Sequence, residues 1–256
     1  MMKTYWPWML LAGVAGMLCC ALPAMAADAA GDREPIKIEL PEANFQGTPF
    51  EYDSPNLEPY DFHDRPPFLA PKGTEVVSKG KPVTSSAKAP IIGELAMLVD
   101  GDKNYTKNSL VELPEGVQWV QIDLGAEYET YAILLWHFHQ DKRVYFDNIV
   151  QVSNDPGFKT GVTTLYNTDY DNSTGLGVGK DKEYIETNKG RLIDARGTKA
   201  RYVRCYTNGN NNDEKNHYIE IEVFGRPVRA GEPAQTVAGT GGKVPIKTES
   251  PAPSFK

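Results

Sequence analysis

The chain has 256 residues, 40% of them hydrophobic and 10% aromatic, and a formal net charge of −7. That is enough apolar material for one real core with extensions, or for two small domains. The acidic balance excludes a nonspecific nucleic-acid binder, which needs a basic footprint, and argues against an anionic membrane surface as partner.

The first residues have the layout of a targeting signal. Lys3 precedes an apolar run from Trp6 to Leu22, and Ala24-Met25-Ala26 offers an A-x-A cleavage site. Residues 1–26 therefore read as a signal peptide, with a mature start at Ala27. A transmembrane anchor is the rival reading, but the run is short and lacks a basic stop-transfer flank. Cys19 and Cys20 raise a lipoprotein as a second rival, yet Leu18 and Cys19 stand where lipid attachment wants a small residue. The expectation is an exported protein, periplasmic or at the cell surface, with no transmembrane segment in the mature chain.

Residues 27–73 hold eight prolines in 47 positions, with ten acidic and four basic side chains. Prolines this close together exclude a helix, so the zone reads as an extended or disordered arm. Phe45, Phe50, Tyr52, Tyr60, Phe62 and Phe68 are more aromatic rings than a solvated tether needs. They point to packing against the following domain or a partner.

Residues 74–226 have a β texture, with short alternating or wholly apolar runs separated by Gly, Asn and Asp clusters. The predicted strands are 118–124, 131–139, 148–152, 162–166, 200–207 and 217–224. No sustained 3.6-residue apolar period occurs, so helices should be few and short, and the pattern suggests a sandwich or barrel. Within it, Ile219, Ile221 and Val223 alternate with Glu220 and Glu222, as on a half-buried strand. Residues 227–256 hold nine Gly or Pro in 30 positions and read as a disordered tail. Of three cysteines, only Cys205 survives signal removal, so no internal disulfide is available. It shares a strand face with Val203 and reads as a buried small hydrophobe.

Several segments of the middle zone, in order, resemble the discoidin, or coagulation-factor C-type, domain family over roughly 150 residues. They are Ser78–Ser86, Leu98-Val-Asp-Gly-Asp102, Trp119-Val-Gln-Ile-Asp-Leu-Gly125, Tyr145–Asp155, Ala200-Arg-Tyr-Val-Arg204 and Ile219–Gly225. The resemblance implies an eight-stranded antiparallel jelly-roll β-sandwich (an all-β fold) over residues 74–226. It also implies ligand binding through loops at one end of the sandwich.

Candidate sites follow from chemistry and from this resemblance. Asp100-Gly-Asp-Lys-Asn104 offers oxygen ligands at alternate positions, as a hard cation requires. It is not an EF-hand, because Tyr105 stands at the turn glycine and Val111 at the bidentate Glu. Many discoidin-like carbohydrate modules hold a structural calcium at this loop, and that likeness carries the ligand role to Asp100, Asp102, Thr106 and Glu220. The alternative is a turn whose Asp side chains bond to backbone amides.

His137 and His139 project on one strand face, but with His217 as the only other histidine of the domain they are too few for a closed transition-metal site. A sugar site is better supplied. Arg143 offers a planar donor fork, the Asn208–Asn212 loop offers paired amides, and His137, His139, Tyr145 and His217 add polar contacts. The alternatives are core packing for Tyr145 and turn chemistry for Asn208 and Asn210. Asn172–Lys180 fails as a phosphate loop, because Thr174 and Asp181 replace its Gly and Ser/Thr. The expectation is a non-catalytic exported module recognising carbohydrate or glycoconjugate. The alternative is a docking subunit for another exported protein.

Overall fold

The structure is a computed structural model that describes residues 32–43, 52–61, 63–105 and 109–228. The signal segment, the tail beyond Val228, and Phe45, Phe50, Phe62 and Thr106 lie outside the described residues.

Strands β1 (Arg33–Pro35) and β2 (Leu69–Pro71) pair as a small ribbon in the arm. The main array follows with β3 (Glu75–Val76), β4 (Val83–Ser85), β5 (Val111–Leu113), β6 (Gln118–His137), β7 (Ile149–Ser153), β8 (Thr163–Asn167), β9 (Arg191–Thr207) and β10 (Asn216–Pro227). These eight antiparallel strands form the jelly-roll sandwich. The one described helix is a short 3₁₀ segment, Leu95–Val99.

Two long strands serve both sheets. The first half of β6 pairs with β4 and with the second half of β9, which continues to β7 and β8. The second half of β6 pairs with the first half of β9 and with β10, which carries β3 and β5. Sequence patterning splits β6 at Gly125 and begins β9 only at Ala200. The structure joins each into one bent strand, because register shifts between Asp123 and Tyr128 and between Thr130 and Ala132 turn the chain over the sandwich edge. Gly125 sits in that bend at φ +84°, where a side chain would be strained.

The core lies between the sheets. Val120, Ile122 and Leu124 of β6 meet Ile133 and Leu135 of the same strand, Val150 and Val152 of β7, Val203 and Cys205 of β9, and Ile221 and Val223 of β10. Trp119 is not part of it. It is half-buried on the outer face, with the Arg204 guanidinium 4.2 Å from its ring centre and the Phe158 ring 4.1 Å from the same guanidinium.

The arm does pack. Ala132, Leu134, Trp136, Ile219 and Phe224 on the outer face of the second sheet cluster with Ile36 and Ala70 of the arm, backed by Ile38 and Phe68. The Ile36 N–H donates to the Phe68 carbonyl at 3.0 Å. This cover corrects the half-buried reading of β10. Glu220 and Glu222 are also buried, at 2% and 6% exposure. A register shift between Tyr218 and Glu220 turns Ile219 away from the face that Ile221 and Val223 share.

The pairing also decides what meets at one end. Gln118 lies opposite Thr207, Ile149 opposite both Tyr206 and Asn167, Tyr218 opposite His137, and Leu135 opposite Arg191. The loops 114–117, 138–148, 168–190 and 208–215 therefore converge. Among the described residues no helix is long and apolar enough to cross a membrane.

Candidate functional site: a cleft at the loop end

Two loops at this end are pinned together by one guanidinium. Arg143 Nε donates to Asp141 Oδ1 at 2.9 Å, and Nη1 donates to Asp213 Oδ2 at 2.8 Å. Nη1 also reaches His217 Nδ1 at 3.2 Å, and the guanidinium lies 4.6 Å from the Phe138 ring centre. Burial and the Arg143 charge hold the His217 imidazole below its ordinary value. Neutral His217 can then accept at Nδ1 while Nε2 faces Glu112 at 3.3 Å. Burial pushes the Asp213 carboxyl up, but bonds from Asn210 and Lys215, with the Arg143 charge beside it, leave it net lowered.

In the Asn-rich loop Asn210 closes the turn, while Asn208 and Asn211 tie it to the 138–148 loop. Asn210 Nδ2 donates to Asp213 Oδ1 and to the Lys215 carbonyl, and its Oδ1 accepts the Asn212 N–H. Asn211 Oδ1 accepts the Val144 N–H, Asn211 Nδ2 donates to the Lys142 carbonyl, and Asn208 Nδ2 donates to Asp147 Oδ2.

Beneath the loops, His137, His139, Tyr145, Asn210 and His217 are all buried. His137 Nδ1 meets Glu186 Oε1 at 2.5 Å, and its ring stacks on Tyr145 at 4.4 Å. Burial drives the Tyr145 hydroxyl well above its ordinary value. His139 Nε2 lies 3.0 Å from the Lys103 carbonyl. The structure thus brings the sequence-derived candidates to one end but turns most of them into the protein. Arg143 and Asn208 alone of that set are partly open to solvent.

The open feature above them is a cleft of about 450 Å³ lined by Glu115, Gly116, Phe146, Asn208, Gly209, Asn210, Asp213 and Glu214. Phe146 is half-exposed and faces Tyr52 of the arm at 6.2 Å between ring centres. The neighbouring Glu115 carboxylate bonds to Glu214 and raises its carboxyl above the ordinary value. Phe146, Glu115 and Glu214 escape sequence reasoning because no short-range motif joins residues 115, 146 and 214. The one available signal is an aromatic pair, Tyr145-Phe146, at the turn before β7, where Tyr145 is buried and Phe146 is partly open to solvent.

At the predicted metal loop, Asp100 Oδ1 accepts the Asp102 N–H at 2.7 Å, Asp102 Oδ1 accepts the Asn104 N–H at 3.1 Å, and Glu220 Oε2 accepts the Gly101 N–H at 3.2 Å. Lys103 Nζ is engaged by Glu222 at 2.6 Å. Burial above all, then the Asp100 and Glu222 charges, push the Glu220 carboxyl up to about 8. Glu220 is buried while Asp100 and Asp102 are exposed, and carboxylate oxygens grouped in this way suit a hard cation. Among the described residues, the three acidic groups whose ligand atoms lie within 4.8 Å of one another are elsewhere: Asp147, Asp169 and Asp171. There Asp169 already accepts from the Ser173 and Thr174 amides and the Thr174 hydroxyl.

Fold and site together define an antiparallel jelly-roll β-sandwich with its cleft at the loop end. No protein-family profile and no curated protein sequence matches the chain. Solved structures do. CBM32 of AlyQ, in complex with 4,5-unsaturated mannuronic acid, is similar at 20% identity and a TM-score of 0.43, covering 59% of this chain and 95% of that one. Chitosan-binding module 1 of a Paenibacillus sp. IK-5 chitosanase/glucanase is similar at 23% identity and a TM-score of 0.40, covering 59% of this chain and 99% of that one. A family 89 glycoside hydrolase from Clostridium perfringens is similar at 22% identity and a TM-score of 0.44, and the match spans only 15% of that enzyme's chain.

Proposed function

We propose that the chain is a non-catalytic module that binds a carbohydrate or glycoconjugate in the loop-end cleft. The observation that carries this reading is the half-exposed Phe146 ring beside the Asn208 amide and the Glu115–Glu214 carboxyl pair. An aromatic face suits the apolar side of a sugar ring, and planar amide and carboxyl groups suit its paired hydroxyls. The wall is held in place by Arg143, so little order has to be created on binding.

Calcium belongs to the same reading. Asp100 and Glu220, with Asp102 beside them, would hold it, and it would supply the positive charge that the buried Glu220 carboxylate lacks. Export follows from the signal-like segment and is part of the proposal.

A glycan-array screen of the chain from Ala27, with calcium and with chelator, tests both. Selective binding that weakens with chelator and is lost in Phe146→Ala supports the module and its metal. No binding in either condition, by protein shown to be folded, would overturn it in favour of a docking subunit for another exported protein.

A further inference from the structure

A second pocket, of about 210 Å³, opens where the arm crosses the 184–191 segment. Its chemistry is opposite to that of the cleft. Arg65, Lys189 and Arg191 face it with Glu58 and Asp61, a surplus of one positive charge in a chain whose net charge is −7.

The two guanidinium groups are held firmly. Arg65 Nη2 donates to the Lys189 carbonyl at 2.9 Å and to the Gly190 carbonyl at 2.5 Å. Arg191 stacks 4.0 Å from the Tyr184 ring centre and pairs with Glu58 at 2.7 Å. Arg191 Nε is buried and makes no hydrogen bond. Among the described residues no carboxylate pairs with Arg65. Burial first, then the Arg191 charge, pull the Arg65 guanidinium below its ordinary value. At Arg191 burial is outweighed by Tyr166, Tyr184 and Glu58, which hold that guanidinium above it, so Arg65 is the cation left without a counter-charge. Arrangements of this kind are stabilised by an anion.

We propose that Arg65 and Arg191 form a subsite for the carboxylate of an acidic sugar residue. A monoanion matches the single surplus charge, whereas a phosphate dianion overshoots it. The volume accommodates one sugar ring. The charge argument stands without the cleft; the identity of the ligand as a sugar rests on the carbohydrate reading. Because Arg65 comes from the arm, the sandwich alone would lack the subsite.

The test is a titration of the ¹⁵N-labelled chain from Ala27 with glucuronate and galacturonate, their methyl esters, and inorganic sulfate. The expected result is amide shifts centred on 184–191, with binding at least ~10-fold weaker for the uncharged esters and for Arg65→Gln. The esters keep the test valid even where Arg65→Gln loosens the arm. Shifts confined to 208–214 would overturn the subsite and leave the cleft reading intact. Uronate shifts at 184–191 in protein that binds no array glycan would support the subsite and sink the cleft. Sulfate binding as tightly as uronate would overturn the sugar identity, and equal binding of acid and ester would overturn the role of charge.

Discussion

Shortening one side chain of the arm tests whether the arm is part of the fold. Ile36 is 9% exposed and packs with Leu134, Trp136, Ile219 and Phe224. The ribbon that holds it has three residue pairs, so apolar contact must supply much of the attachment. Ile36→Ala removes three buried carbons and leaves a cavity, and such changes cost about 2–5 kcal/mol, with the edge of a cluster at the lower end. The main core is a separate cluster, so the loss falls on opening of the arm and not on unfolding of the sandwich. A loss of about 2.8 kcal/mol multiplies the open population ~100-fold. Cleavage at low protease concentration reports that population. The expected outcome is therefore ~100-fold faster cutting within 52–66, with a nearly unchanged urea midpoint for the sandwich. Ile91→Ala, at a position 53% exposed, is the control. Cutting of Ile36→Ala within about twofold of the parent would refute the packing argument.

The buried Glu220 carboxyl predicts a pH response. Its folded value of about 8 lies above the ordinary 4.5, so its penalty is absent below pH 4.5 and grows as pH rises towards 8. The expected loss is on the order of 3 kcal/mol by pH 7. In chelator, denaturant midpoints should fall between pH 5 and pH 8, and Glu220→Gln or added calcium should flatten the fall; parallel curves for parent and variant would exclude Glu220 as the cause. Arg143→Met breaks contacts to Asp141 and Asp213 at a site whose side chain is 14% exposed, and should cost about 3 kcal/mol in urea unfolding while weakening glycan binding. Burial pushes the Cys205 thiol up to about 12, so in the chain from Ala27 one thiol should stay unreactive at pH 8 until the protein is denatured, as a thiol-reactive dye would show.

Strand alternation and glycine placement were legible without coordinates, because each is a local property. Val120, Ile122 and Leu124, the wide β texture of 74–226, and the buried, inert Cys205 follow from spacing two residues apart. The excess of aromatic rings in the arm likewise pointed to packing before any partner surface was known. Local pattern could not say that β6 and β9 each bend through both sheets, since the continuity rests on pairing partners some 70 residues away. Nor could it say that β10 is buried on both faces, because its outer cover comes from Ile36 and Ala70 at the far end of the chain. The candidate site shows the same division. The sequence, through its discoidin resemblance, marked the 139–146 and 208–217 loops, and their polar residues do meet. Which of those residues face solvent was decided by tertiary packing. Arg143 is drawn to Asp213, His137 to Glu186, and Asn210 to its own turn, since a buried polar group must find its partner inside the protein. Phe146, Glu115 and Glu214 are left at the opening, where the loop chain turns them to solvent.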